Sequence, residues 1–205
     1  MTLTGWTGTL TNEVRPAEGG TMALEVEIKF RATDRTAVAE KLASLGATTI
    51  GQEHHCDCYF APPHRDFAKT DEALRIRRTD ALGWITYKGP KLDATTKTRR
   101  EIEAPIDPEA ADRLAEILNA LSFKAVREVR KTRLISSLAY QGFPVSAAID
   151  EVQGLDGVFV ELEIHAEDDE LDDARRAVLA LGEEMGLHDA ERRSYLEMIL
   201  AAGAK

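Results

Sequence analysis

The chain has 205 residues with a formal net charge of −10, and 43% of its residues are hydrophobic. That length and composition suit one soluble globular domain with a sizeable core. No apolar run approaches the ~20 residues of a membrane span, no basic-then-apolar secretory signal opens the chain, and the acidic balance argues against non-specific nucleic-acid binding.

Residues 1–21 are rich in Thr and Gly and lack amphipathic period, so they read as a disordered leader ahead of a domain over 22–205. The first strand follows at 24–31. Its period is two: Glu25, Glu27, Lys29 and Arg31 share one face, and Leu24, Val26, Ile28 and Phe30 the other. Carboxylate oxygens suit Mg²⁺ or Mn²⁺, and cations beside them suit the phosphates such a metal carries. Taken alone, the octet also fits a strand whose charged face meets water.

A helix is expected over 34–45, capped by Thr33 or Asp34 and stopped by Gly46. A strand over about 48–60 leads into the loop 61–64. This strand carries Asp57 and Tyr59, and also Cys56 and Cys58, which share a face with poor geometry for a disulfide. A reducing, cytoplasmic setting is the simplest reading of those cysteines. With His54 and His55 they match no common zinc spacing. Strands over 72–79 and 82–88 form a hairpin, with Arg75 and Arg77 on one face and Lys88 at the end.

The polar loop 91–96 precedes a strand over 97–105, where Arg99, Glu101 and Glu103 alternate with Arg100, Ile102 and Ala104. Asp107 and Pro108 open a helix to about Leu121. A long strand over 123–140 sets Lys131 and Arg133 on one face. Strands over 143–152 and 158–165 carry Asp150, then Glu161 and Glu163. Helices over about 171–185 and 194–201 end the chain.

The charged faces are sorted by strand: carboxylates dominate the first and last, cations those between. A solvated sheet has no reason for that sorting, whereas a barrel with a polar interior does. The expected fold is α+β, an antiparallel eight-stranded β-barrel with a charged interior and helices covering its apolar exterior. Buried charges cost several kcal/mol each unless paired or liganded, so such an interior implies a charged ligand and a metal.

The ordered motifs resemble those of the CYTH superfamily, the triphosphate tunnel metalloenzymes, over about residues 23–200. The motif Glu-x-Glu-x-Lys is met by Glu25, Glu27 and Lys29. After it come Leu74–Arg77, Thr86–Pro90, Arg99–Glu103, Lys131 to Arg133, Asp150 and Glu161 to Glu163. The elements Glu27–Arg31, Asp57-x-Tyr59-Phe60 and Tyr87–Pro90 look like the class IV adenylate cyclase branch. Ile28 stands where small bacterial triphosphatases more often carry Arg.

The resemblance implies an eight-stranded tunnel. It assigns Glu25, Glu27, Asp150, Glu161 and Glu163 to Mg²⁺ or Mn²⁺. Arg75, Arg77, Lys88, Arg99, Lys131 and Arg133 are then expected to bind a triphosphate. Lys29 is the candidate base, and Glu101, Glu103, Asp57 and Tyr59 support the site. The expected reaction is conversion of ATP to cyclic AMP and pyrophosphate. The alternatives are hydrolysis of inorganic, thiamine or nucleoside triphosphate, and binding of polyphosphate or nucleotide without catalysis. Family members are often homodimers, and neither nucleic acid nor membrane is an expected partner.

Overall fold

The computed structural model describes residues 24–92 and 96–203. Eight strands make one sheet in which every pairing is antiparallel: β1 (Leu24–Ala32), β2 (Thr48–Ala61), β3 (Ala73–Arg78), β4 (Gly83–Lys88), β5 (Glu101–Ile106), β6 (Lys124–Tyr140), β7 (Phe143–Val152) and β8 (Val158–Ala166). Their spatial order is β1-β8-β7-β6-β2-β3-β4-β5. No continuous ladder joins the two outermost strands. Instead the segment ahead of β5 bends onto β1, where the Lys97 N–H donates to the Glu27 carbonyl at 2.8 Å and the Arg99 N–H to the Glu25 carbonyl at 3.4 Å. This is why the strand expected from residue 97 begins only at Glu101.

The register sets the charged residues side by side. Lys29 lies opposite Glu161 and Glu27 opposite Glu163. Asp57 lies opposite Arg77, Lys88 opposite Glu101, and Arg133 opposite Asp150. A one-residue slip would send each charged set to the wrong face, so the alternation itself pins the pairing.

The apolar faces point outward and are covered by helices. α1 (Arg35–Ser44) is capped by Asp34, whose carboxylate accepts from the N–H groups of Thr36 and Ala37. Gly46 takes φ +86° after it, the left-handed conformation that glycine adopts at little cost. α4 (Leu171–Glu184) lays Ala174, Ala177, Val178 and Leu181 on a cluster containing Val26, Ile28, Phe30, Val160 and Leu162. α3 (Ala111–Ala120) covers Phe60 and Ile76 with Leu118 and Leu114. The helix expected from residue 108 opens as a 3₁₀ turn over Pro108–Ala110, with the Asp107 carboxylate accepting from the Glu109 N–H.

Two further helices border the barrel opening. α2 (Phe67–Thr70) is a single turn capped by Asp66, too short to leave a hydrophobic period. α5 (Tyr195–Gly203) packs Tyr195, Met198 and Ile199 against Val129, Val152 and Phe159. No helix among the described residues is long and apolar enough to cross a membrane. The leader expected over 1–21 lies outside the described residues.

Candidate active site in the barrel interior

A cavity of about 580 Å³ occupies the barrel interior. Glu25, Glu27 and Lys29 of β1 line it, with Arg75 and Arg77 of β3, Lys88 of β4, and Glu101 and Glu103 of β5. Arg99, Lys131, Arg133, Glu161 and Glu163 complete that charged wall, and Asp57 and Tyr59 reach it from β2. Side-chain alternation along each strand therefore delivers every expected site residue to one cavity except Asp150. A second, more open concavity of about 620 Å³ holds His54, His55, Arg78, Arg130 and Glu151 and shares Lys131 with the first. Because the inward-facing carboxylates and guanidinium groups gather in the interior cavity, that one is the candidate site.

Asp150 sits behind the wall, fully buried. Its carboxylate accepts from Lys131 Nζ at 3.0 Å, Arg133 at 2.7 and 2.6 Å and the Tyr195 hydroxyl at 2.7 Å. An oxygen pair so engaged has little capacity left for a metal. The structure thus places Asp150 as the counterion that fixes Lys131 and Arg133, rather than among the metal-facing carboxylates expected from the sequence.

Asp57 does the same work on the opposite wall. It takes a two-pronged contact from Arg77, both prongs at 2.7 Å, and lies 3.4 Å from Arg75. Burial alone would raise its pKa, but Arg75 and Arg77 outweigh that and hold the carboxyl far below its usual range. Thr86 relays the chain by accepting from Arg75 and donating to Glu103.

The middle of the cavity mixes signs. Lys97 pairs with Glu27 at 2.5 Å and lies 3.9 Å from Glu161. Lys29 also lies 3.9 Å from Glu161, donates to the Arg193 carbonyl at 2.6 Å, and stands 4.0 Å from the centroid of the Tyr195 ring. Burial and the neighbouring Lys97 push the Lys29 pKa down to about 7. Burial and Arg133 push Lys131 down to about 8. Glu161 contacts Arg133 and is held well below the ordinary carboxylate range: burial opposes ionisation there, and Arg133 with three lysines overcomes it.

Toward the other end Lys88 lies 3.7 Å from Glu25 and contacts Glu101. Glu25 titrates well above its usual value. Burial is the largest cause, and the Glu163, Glu101 and Glu27 carboxylates add to it against Lys88. A buried carboxylate crowded by three others is a donor set short of positive charge. All of its donors are hard oxygens, which fits Mg²⁺ or Mn²⁺. Among the described residues no three His, Cys, Asp or Glu side chains already converge on one metal position. Lysines stand between the carboxylates instead.

The cationic side carries a complementary signal. Arg75 Nε is buried without a hydrogen-bond acceptor among the described residues, and the buried Arg99 Nε has only an ion-pair contact with Glu101 at 3.4 Å. An unsatisfied buried donor costs about 1–3 kcal/mol, more when charged. Two weakly engaged donors on one cavity wall are what an anion with several oxygens would satisfy.

Two site residues are absent from the sequence reading. Lys97 shares parity with Arg99, so extending the alternation by two residues would have found it. Tyr195 has no such signal, because only tertiary packing brings the start of α5 beneath Lys29 and Asp150.

Comparison with known proteins supports the fold and places the family. A protein of Methanocaldococcus jannaschii, provisionally named an adenylate cyclase, is 40% identical over 180 residues, covering 85% of this chain and 98% of its own. A Pyrococcus horikoshii protein of known structure is 41% identical, with 86% of this chain and 98% of the other covered and a TM-score of 0.77. A Hippeastrum protein, provisionally an adenylyl cyclase and described as revealing a dominant triphosphatase activity, shares the fold at 16% identity. There the coverage is 88% of this chain and 96% of the other, and the TM-score is 0.63. The model of the CYTH domain matches residues 23–195, and this chain belongs to the CYTH domain family.

Proposed function

We propose that this chain is a metal-dependent enzyme that binds a triphosphate in the barrel interior and converts ATP to cyclic AMP and pyrophosphate. The observation that carries the reading is the convergence, in one buried cavity, of weakly engaged guanidinium donors on Arg75 and Arg99 with a crowded group of carboxylates around Glu25. The provisional name of the Methanocaldococcus jannaschii relative supports cyclisation as the reaction.

Arg75, Arg77, Arg99, Lys131 and Arg133 would hold the phosphate oxygens. They would also stabilise the charge that moves onto the pyrophosphate leaving group. Asp57 keeps Arg75 and Arg77 aimed and charged, and Asp150 does the same for Lys131 and Arg133. Glu25, Glu27, Glu161 and Glu163 would hold Mg²⁺ or Mn²⁺, which when bound supplies Lewis acidity on the phosphate oxygens. Lys29, with its pKa near 7, is suited to accept the proton of the ribose 3′-hydroxyl as that oxygen attacks the α-phosphorus.

The second reading is hydrolysis of an inorganic, thiamine or nucleoside triphosphate. Lys29 favours it as much as cyclisation, since a base placed beside bound phosphates serves a water equally well. Incubating the purified protein with ATP or with inorganic triphosphate, in Mg²⁺ or Mn²⁺, and separating the products decides between them. Cyclic AMP with pyrophosphate is the expected result. ADP with phosphate, or turnover of inorganic triphosphate alone, selects hydrolysis. No turnover of these two compounds or of thiamine triphosphate would overturn the enzymatic reading.

A further inference from the structure

The segment that follows α4 is bound to β1 along the stretch that carries Lys29. The Glu191 N–H donates to the Lys29 carbonyl at 2.7 Å, the Arg31 N–H donates to the Asp189 carbonyl at 3.2 Å, and Phe30 forms an isolated bridge with Ala190. Further along, the Arg193 carbonyl accepts from Lys29 Nζ at 2.6 Å. The Tyr195 ring centroid then stands 4.0 Å from the same nitrogen and 5.0 Å from Lys131 Nζ. Alternate residues of one short segment thus hold the Lys29 backbone, its amine and the space beside that amine.

Tyr195 itself is tightly fixed. Ser194 and Glu197 cap the start of α5 reciprocally: Glu197 accepts from the Ser194 N–H at 2.6 Å, and the Ser194 hydroxyl accepts from the Glu197 N–H at 3.1 Å. The buried ring meets Phe159 edge-on, with 5.3 Å between centroids. Its hydroxyl donates at 2.7 Å to Asp150, the carboxylate that pairs with Lys131 and Arg133. One side chain therefore touches both Lys29 of β1 and the counterion of the β6 cations.

Apolar volume alone would be served there by leucine or phenylalanine. The flat face and the hydroxyl each have a partner instead. A lysine stem is flexible, and a base works only within hydrogen-bond reach of the proton it takes. An aromatic face attracts an ammonium group within about 6 Å of its centroid, and the Arg193 carbonyl accepts an N–H from the charged or the neutral amine.

Resting on the enzymatic reading, we propose that Tyr195 is a positioning residue: its ring holds the Lys29 amine in place for the chemical step, and its hydroxyl, through Asp150, keeps Lys131 and Arg133 on the phosphates.

The test separates ring from hydroxyl with Tyr195→Phe and Tyr195→Leu. Ile199→Ala, on the same buried face of α5, is the packing control. Folding is checked by thermal midpoint, and Tyr195→Met takes the place of Tyr195→Leu if the latter does not fold. Turnover is measured on whichever of ATP, inorganic triphosphate and thiamine triphosphate wild type consumes. Affinity is measured by calorimetric titration with imidotriphosphate in Mg²⁺. Tyr195→Phe should bind about tenfold more weakly than wild type. Relative to Tyr195→Phe, Tyr195→Leu should lose about 100-fold in kcat while its affinity changes by less than about threefold, the pattern of an interaction made in the transition state. Ile199→Ala should change neither quantity by more than about threefold. Equal kcat in the two Tyr195 variants, or unchanged affinity in Tyr195→Phe, would overturn the inference. So would a loss of kcat in Ile199→Ala matching that of Tyr195→Leu, which would reduce the role to packing. Wild type inactive on all three compounds would instead overturn the enzymatic reading itself.

Discussion

Asp57 and Asp150 show how single carboxylates organise this interior without facing a ligand. Each is buried, each pairs with two cations, and each holds its pKa below the usual range because those cations outweigh burial. For Asp57 the folded value lies below its ordinary 3.8, so its contribution to stability is complete above about pH 4 and lost as pH falls through the folded value. Asp57→Asn should therefore lower stability at pH 7 by about 3–5 kcal/mol, since it leaves Arg75 and Arg77 uncompensated, and should flatten the acid limb. Urea unfolding at several pH values reads both effects; an unchanged acid limb would remove Asp57 from that role. Glu161→Gln should abolish metal-dependent turnover with the fold retained, and full activity in ordinary Mg²⁺ would take Glu161 out of the metal set. Strand parity made most of the cavity-facing residues legible, and the family motifs added Asp57 and Tyr59. Asp150 shares that parity, but whether a carboxylate meets the ligand or backs the cations depends on depth in the barrel, which alternation does not encode.

The strands and long helices follow from local sequence more closely than the joints do. Asp34 and Asp107 cap helices at the positions their side chains suggest. The single turn of α2, the bend at 97–99 and the bulge at Val126 depend on tertiary pairing, and none leaves a periodic trace. A close helix–strand contact adds a test. A Cβ on Gly182 of α4 would lie 2.5 Å from Cζ of the buried Phe30. Alanine at this position gains about 1 kcal/mol of helix propensity, but overpacking a filled core costs typically 1–3 kcal/mol. Gly182→Ala is thus expected to destabilise by about 1 kcal/mol in chemical denaturation, and a stabilised variant would show that Phe30 moves aside freely.

The barrel as a whole concentrates charge that its own pairs only partly satisfy, so its stability should respond to ligand. At a triphosphate concentration of 100 times Kd, binding to the folded state alone adds about 2.7 kcal/mol. The melting temperature should rise by several degrees with imidotriphosphate and Mg²⁺ together. It should rise less in Arg77→Ala, where a direct charge-assisted contact is lost. The most direct measurement is diffraction from crystals soaked with Mn²⁺ and imidotriphosphate, with anomalous density locating the metal. The metal is expected among Glu25, Glu27, Glu161 and Glu163, with phosphate oxygens on the Arg75 and Arg99 guanidinium groups. Triphosphate bound only in the outer concavity beside His54 and Arg130, or metal bound away from those four carboxylates, would contradict it.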